Sequence, residues 1–127
     1  MALYHVWFAT KRRKWLLQGE VLDAAREEIA NAASQHSIRI IEQEAIVDHV
    51  HLLVEVDDAP ALAKAMNYVK GASARRIFKR FPELKLDAHT TSFWQAHYGS
   101  RLIPPEARAT VTRYIRTQWE RLEEFER

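Results

Sequence analysis

From Ala45 to Val56 the chain runs Ala-Ile-Val-Asp-His-Val-His-Leu-Leu-Val-Glu-Val, with an apolar residue at every second position from Val50 onward. Such alternation predicts a β-strand buried on one side, because successive strand side chains point to opposite faces of the sheet. Val50, Leu52, Val54 and Val56 share the face that fills a core, and His49, His51, Leu53 and Glu55 share the other. The fold must therefore hold a sheet with one covered face and one face left for polar residues. Two imidazoles two residues apart on one rigid face either converge on a divalent ion, for which histidine is the commonest side-chain ligand, or stand as a solvated pair. The strand by itself fits both.

A chain of 127 residues with 47% hydrophobic residues suits one domain spanning 1–127. Its apolar runs fall short of the roughly 18 residues that a membrane helix needs. The stretch Met1–Trp15 alternates like a strand and is not read as a signal peptide. The absence of cysteine rules out disulfides, thiolate zinc sites and cysteine nucleophiles, and fits a cytoplasmic protein. The net charge of +2 is modest but unevenly placed. Lys11, Arg12, Arg13 and Lys14 form one basic cluster, and Lys64, Lys70, Arg75, Arg76, Lys79, Arg80 and Lys85 are opposed only by Glu83. Clusters of this kind mark either a polyanion partner or a solvated helix face.

No repeat, linker or low-complexity tract divides the chain, and only three glycines and four prolines interrupt it. Leu3–Thr10, rich in aromatic and β-branched residues, reads as a first strand. Gly19–Ser34 reads as an amphipathic helix through Val21, Leu22, Ala25, Ile29 and Ala32. Ser37–Glu44 reads as a second strand, followed by the histidine strand. Asp57-Asp58-Ala59-Pro60 is a helix-start signal for a long basic helix over Ala61–Phe81, which Pro82 ends. Ser92–Leu102, with Phe93, Trp94 and Tyr98, reads as a fourth strand, and Pro104-Pro105 opens a last helix reaching about Phe125. The order β-α-β-β-α-β-α predicts an α+β fold of the ferredoxin-like (RRM-like) type. It comprises a four-stranded antiparallel sheet, two helices on one face, and a C-terminal helix. The histidines belong on the uncovered face.

The last helix carries an anomaly. At about 3.6 residues per turn, Val111, Ile115, Trp119, Leu122 and Phe125 form its apolar stripe, with Arg113, Arg116, Glu120, Glu123 and Glu124 directed away. Gln118 falls inside that stripe and Tyr114 at its edge, one turn apart. An amide on a buried side needs a partner, since leaving it unsatisfied costs about 1–3 kcal/mol. A metal ion would satisfy the Gln118 carbonyl oxygen, and so would a neighbouring loop. Tyr114 by itself is equally an amphipathic core-edge residue.

Taken in order, four segments are informative: Asp48-His49-Val50-His51-Leu52-Leu53-Val54; Lys70-Gly71-Ala72-Ser73-Ala74-Arg75-Arg76-Ile77-Phe78; Phe93-Trp94; and Arg113-Tyr114-Ile115-Arg116-Thr117-Gln118. This series resembles the single-tyrosine HUH transposases, which move insertion sequences with subterminal hairpins as single-stranded DNA and include the REP-associated tyrosine transposases. The resemblance covers nearly the whole chain. Ile46-Val47 stands where the family often has Met-Pro.

The resemblance implies a DNA strand transferase and endonuclease. Tyr114 would attack a phosphodiester and retain the 5′ side as a phosphotyrosine. His49, His51 and Gln118 would hold one divalent ion, magnesium or manganese. The bond energy kept in the covalent link removes any need for a nucleotide cofactor, in keeping with the lack of a P-loop sequence. Lys11, Arg12, Arg13, Lys70, Arg75 and Arg76 are the candidate phosphate contacts, and Trp94 and Tyr98 candidates for stacking on unpaired bases. A homodimer in which one tyrosine helix completes the other subunit's histidine site is also implied. The alternative is a non-catalytic ferredoxin-like module that binds hairpin or single-stranded nucleic acid.

Overall fold

The computed structural model describes residues 1–36, 38–87 and 92–120. Its elements in chain order are β1 (Ala2–Ala9), α1 (Gly19–Ser34), β2 (Arg39–Ile46), β3 (His49–Val56), α2 (Ala59–Arg80), the short α3 (Glu83–Asp87), β4 (Gly99–Ile103) and α4 (Arg108–Arg116). The strands form one sheet in the order β2-β3-β1-β4, and every neighbouring pair is antiparallel. This is the ferredoxin-like arrangement. No described helix is long and apolar enough to cross a membrane.

Period-two alternation divides the sheet into two faces. Val6 and Phe8 of β1 join Val50, Leu52 and Val54 of β3 in the main core beneath α1 and α2. The two helices meet through small residues, Ala25, Ala32 and Ala33 on α1 and Ala65 and Ala72 on α2, so their backbones approach closely. Asp58 caps α2 by accepting the Ala61 N–H, with Pro60 in the first turn. On the opposite face Leu3, Leu53, Ile103 and Ile115 form a second, smaller cluster that seats α4 on the sheet, with Ile41 and Val111 packed against it. A register shift between Ile40 and Glu42 lets both Ile41 and Glu42 face α4. Ile41 packs in the cluster, and Glu42 accepts Arg116 Nε at 2.8 Å.

Three boundaries depart from the sequence expectation. The histidine strand begins at His49 rather than within an alternation starting at Ala45, because β2 continues to Ile46 and turns through Val47-Asp48. That turn lacks glycine, asparagine or proline to announce it, and Val47 adopts φ 49°, a strained conformation for a β-branched residue. The fourth strand covers only Gly99–Ile103 instead of Ser92–Leu102, since Phe93 and Trp94 drop into the core and Trp94 contributes only an isolated bridge to Thr10. The last helix is regular only to Arg116, with a turn at Thr117 before Gln118, Trp119 and Glu120 continue as helix. Leu122, Phe125 and the rest of its predicted length lie outside the described residues.

Gly99 fixes one detail of the free face. A Cβ there would lie 2.2 Å from the Trp7 indole, so the ring rests directly on the β4 backbone. Gly99→Ala is therefore expected to destabilise by about 1–3 kcal/mol, measured as a lower urea midpoint. In a Trp7→Ala background the same substitution should lose most of that effect; an equal loss in both backgrounds would show that the indole is not the obstacle.

Candidate functional site

The site is built where β1 and β3 pair. Trp7 stands opposite His51 and Ala9 opposite His49, so His5, Trp7, His49 and His51 all project from the face that α1 and α2 leave uncovered. His5 Nε2 lies 2.9 Å from His51 Nδ1. Their rings meet edge to edge, with centroids 5.1 Å apart and planes inclined by only 27°. The His49 ring stands edge-on to His51 at 5.0 Å. His49 Nδ1 donates to Asp48 Oδ1 at 2.8 Å, since an ionised carboxylate can only accept. The other oxygen of Asp48 takes Arg13 Nε at 3.1 Å. Both Nδ1 atoms are thus engaged, which leaves the two Nε2 atoms for a ligand.

Two clefts flank this group. One, of 490 Å³, is lined by Arg13, His49, His51, Gln95, Tyr98 and Gly99 among others. The second, of 540 Å³, includes His5, Arg101, Val111 and Tyr114. Trp7 and His51 line both and form the wall between them. Tyr114 presents its ring edge-on to His5 at 5.9 Å and to His51 at 5.8 Å.

Burial, reinforced by the neighbouring charges of His49 and then His5, pushes the His51 pKa down to about 3. Burial and then Arg101 also lower that of His5. His51 is therefore neutral at ordinary pH, the form that ligates metals. The centroid separation, the engaged Nδ1 atoms and a carboxylate behind His49 suit a divalent ion bound through the two Nε2 atoms. Among the described residues no group of three His, Cys, Asp or Glu side chains could hold an ion, so a third ligand drawn from these residues would have to be of another type.

The structure brings some of the predicted site residues together and separates others. His49 and His51 converge, and Tyr114 on α4 packs against His51. Gln118 is buried, and its Nε2 donates to the Tyr114 backbone carbonyl at 2.8 Å, which leaves Oε1 as the atom it could offer to an ion. It lines neither cleft. Next to it Trp119 Nε1 donates to Glu44 at 3.2 Å, on the β2 residue that pairs with His51.

Arg13 lines the histidine cleft, and both it and Arg12 adopt positive φ in the turn after β1 that also holds Lys11. Lys70 lies elsewhere than a free phosphate ligand would. It is buried, and its ammonium donates to the Gln95 and His97 carbonyls at 2.6 and 2.9 Å, tying down the 93–98 loop. Burial lowers its pKa. Arg75 and Arg76 sit on α2, on the other side of the sheet from the histidines. Arg75 lines a shallow basic cleft with Lys79 and Lys85, and Arg76 reaches Gln35. Trp94 is core, donating to Ser73 Oγ at 2.9 Å, whereas Tyr98 lines the histidine cleft.

Sequence reasoning missed His5, Trp7 and the double role of Asp48. The available signal was parity, because Leu3, His5 and Trp7 alternate on β1 as His49 and His51 do on β3.

Because folded His51 resists protonation until about pH 3 while an unfolded histidine titrates near 6.5, acid favours the unfolded chain. His51 contributes its full stability above pH 6.5 and loses it as pH falls toward 3. The metal-free protein should unfold at progressively lower urea between pH 6.5 and 4.5, and His51→Gln should flatten that dependence. Parallel profiles would contradict the buried neutral imidazole.

A family model described as "Transposase IS200 like" matches residues 1–118. The ISDra2 transposase TnpA of Deinococcus radiodurans is 33% identical over 115 residues, covering 91% of this chain and 82% of that protein. The transposase for insertion sequence element IS200 of Salmonella typhimurium is 29% identical over 117 residues, covering 92% and 76%. Among solved structures, a transposase crystal structure from Deinococcus radiodurans R1 superposes with TM-score 0.74 at 32% identity, covering 91% of this chain and 89% of that one. A REP-associated tyrosine transposase bound to a REP hairpin superposes with TM-score 0.65 at 15% identity, covering 91% and 65%. With a matching fold, a histidine pair and a tyrosine helix seated beside it, the chain belongs to the IS200-like transposase family.

Proposed function

We propose that this transposase cleaves and rejoins single-stranded DNA at hairpin-marked ends through a 5′-phosphotyrosine on Tyr114. The observation that carries the reading is the shared placement of three groups: His49 and His51 hold their Nε2 atoms available at one cleft, and Tyr114 packs on the other side of His51. The Tyr114 hydroxyl attacks the phosphorus, the P–O3′ bond breaks, and the departing 3′ oxygen takes a proton. The 5′ phosphate stays on the tyrosine until an incoming 3′ hydroxyl attacks it and releases the phenol. Each step exchanges one phosphodiester for another, so no external energy source enters.

His49 and His51 would hold a divalent ion, magnesium or manganese, with the Oε1 of a Gln118 brought in by a second copy's tyrosine helix, since within its own chain Gln118 lines neither cleft. When bound, that ion would polarise the scissile phosphate and stabilise the leaving oxygen. Two imidazole nitrogens favour manganese over the harder magnesium. Asp48 orients His49 and anchors Arg13, whose cation faces the same cleft and suits a DNA phosphate. Lys11 and Arg12 extend that basic rim, whereas Arg75 and Arg76 would serve DNA passing over the helix layer. Tyr98 offers a ring for an unpaired base. The REP hairpin held by the solved relative supports a hairpin substrate. The wall of Trp7 and His51 between Tyr114 and the histidine cleft supports a homodimer in which each tyrosine helix completes the partner's site.

Incubation with 3′-labelled single-stranded hairpin oligonucleotides and manganese, followed by a denaturing gel, tests the reading. Label should migrate with the protein, vanish in Tyr114→Phe and with EDTA, and fall by about 100-fold or more in His49→Ala, the loss of several kcal/mol of charge stabilisation. Adducts that persist in Tyr114→Phe would remove the tyrosine from the mechanism. Release of a free shorter strand would identify water as the nucleophile. No cleavage, with salt-sensitive retention on a native gel, would identify a binding module.

A further inference from the structure

His5 is held from several sides without being one of the groups that would touch DNA or an ion through the histidine cleft. Its Nε2 is 2.9 Å from His51 Nδ1, the two ring planes are inclined by only 27°, and Trp7 lies against it at 5.1 Å. In the sheet it pairs with Leu53 on one side and Arg101 on the other. A neutral imidazole has one donor nitrogen and one acceptor. At this distance a single proton lies between the two rings, and its owner decides what His51 offers the cleft. If His5 donates, the remaining proton of His51 sits on Nε2, and the cleft meets an N–H that binds no ion. If His51 donates from Nδ1, its Nε2 carries a lone pair.

We infer that His5 is a positioning residue for the proposed ion site: its Nε2 accepts the His51 Nδ1–H and so keeps the His51 Nε2 lone pair directed at the cleft shared with His49. The inference rests on the metal reading given above. His5 does for His51 what the Asp48 carboxylate does for His49. The two supports differ in charge. With a carboxylate behind one ligand and a neutral ring behind the other, a bound divalent ion and Asp48 together keep a net positive charge, which favours a DNA phosphate at the open positions. Tyr114, edge-on to both rings, hinders either from turning over.

Long-range 1H–15N spectra of the metal-free, histidine-labelled protein report the tautomer of His51 directly, and a Mn2+ titration followed by electron paramagnetic resonance reports its consequence. Wild type should show His51 protonated on Nδ1. His5→Phe, which keeps a flat ring but removes the acceptor, should lose that preference and bind Mn2+ about 10–100-fold more weakly. His5→Gln, whose amide oxygen can replace Nε2, should restore both. A wild-type His51 protonated on Nε2, or unchanged Mn2+ affinity in His5→Phe, would overturn the inference. Wild type that binds no Mn2+ would instead overturn the metal reading, and it would do so whichever tautomer the spectra record.

Discussion

The antiparallel register between β1 and β3 is the constraint on which the site depends. It sets Trp7 against His51 and Ala9 against His49, and so assembles side chains 44 and 40 positions apart in sequence into one surface. A slip of one residue would turn the four core residues of β3 outward and bury the histidines. Burial of Val6, Val50, Leu52 and Val54 under α1 and α2 prevents that slip. The energetic reason for the fold and the geometric reason for the site are therefore one arrangement, read from its two faces.

Asp48 shows how the turn before β3 is recruited to the same end. Its carboxylate takes His49 on one oxygen and Arg13 on the other, and its backbone carbonyl accepts the Thr10 N–H at 2.9 Å. The Val47 carbonyl in turn accepts the Leu17 N–H. Val47, Arg12 and Arg13, the non-glycine residues with positive φ among the described residues, all lie in the two turns that these contacts join. Backbone strain of this kind persists only where surrounding contacts over-determine it. Here the contacts bring a cation to the rim of the histidine cleft.

Much of this was legible in the chain. The limits of α1, the strand order and the outward face of His49 and His51 all follow from periodicity, which depends only on local side-chain direction. The terminal turns of β2 and β4 were not legible, because tertiary contacts decide them. Val47-Asp48 turns with a β-branched residue at positive φ and no glycine, and Lys70 holds the Gln95 and His97 carbonyls that an extended β4 would have paired. Lys70 illustrates the wider difficulty with charge, since one lysine in a basic helix reads as a surface cation until a loop closes over it. His5 escaped notice for a different reason. Parity was readable on β1, but which residue it faces depends on register with a strand far along the chain.

The two hydrophobic clusters are unequal. The main core draws on both long helices and most of the sheet, whereas the tyrosine helix is seated through Ile115 on a patch completed by Leu3, Leu53 and Ile103. Opening that patch exposes less of the described apolar surface than opening the main core, so it costs less free energy than global unfolding. Tyr114 thus rides on a helix whose described residues rest on the smaller of the two clusters. The part of the molecule that carries Tyr114 is therefore the first to let go, and the sheet with its two long helices the last.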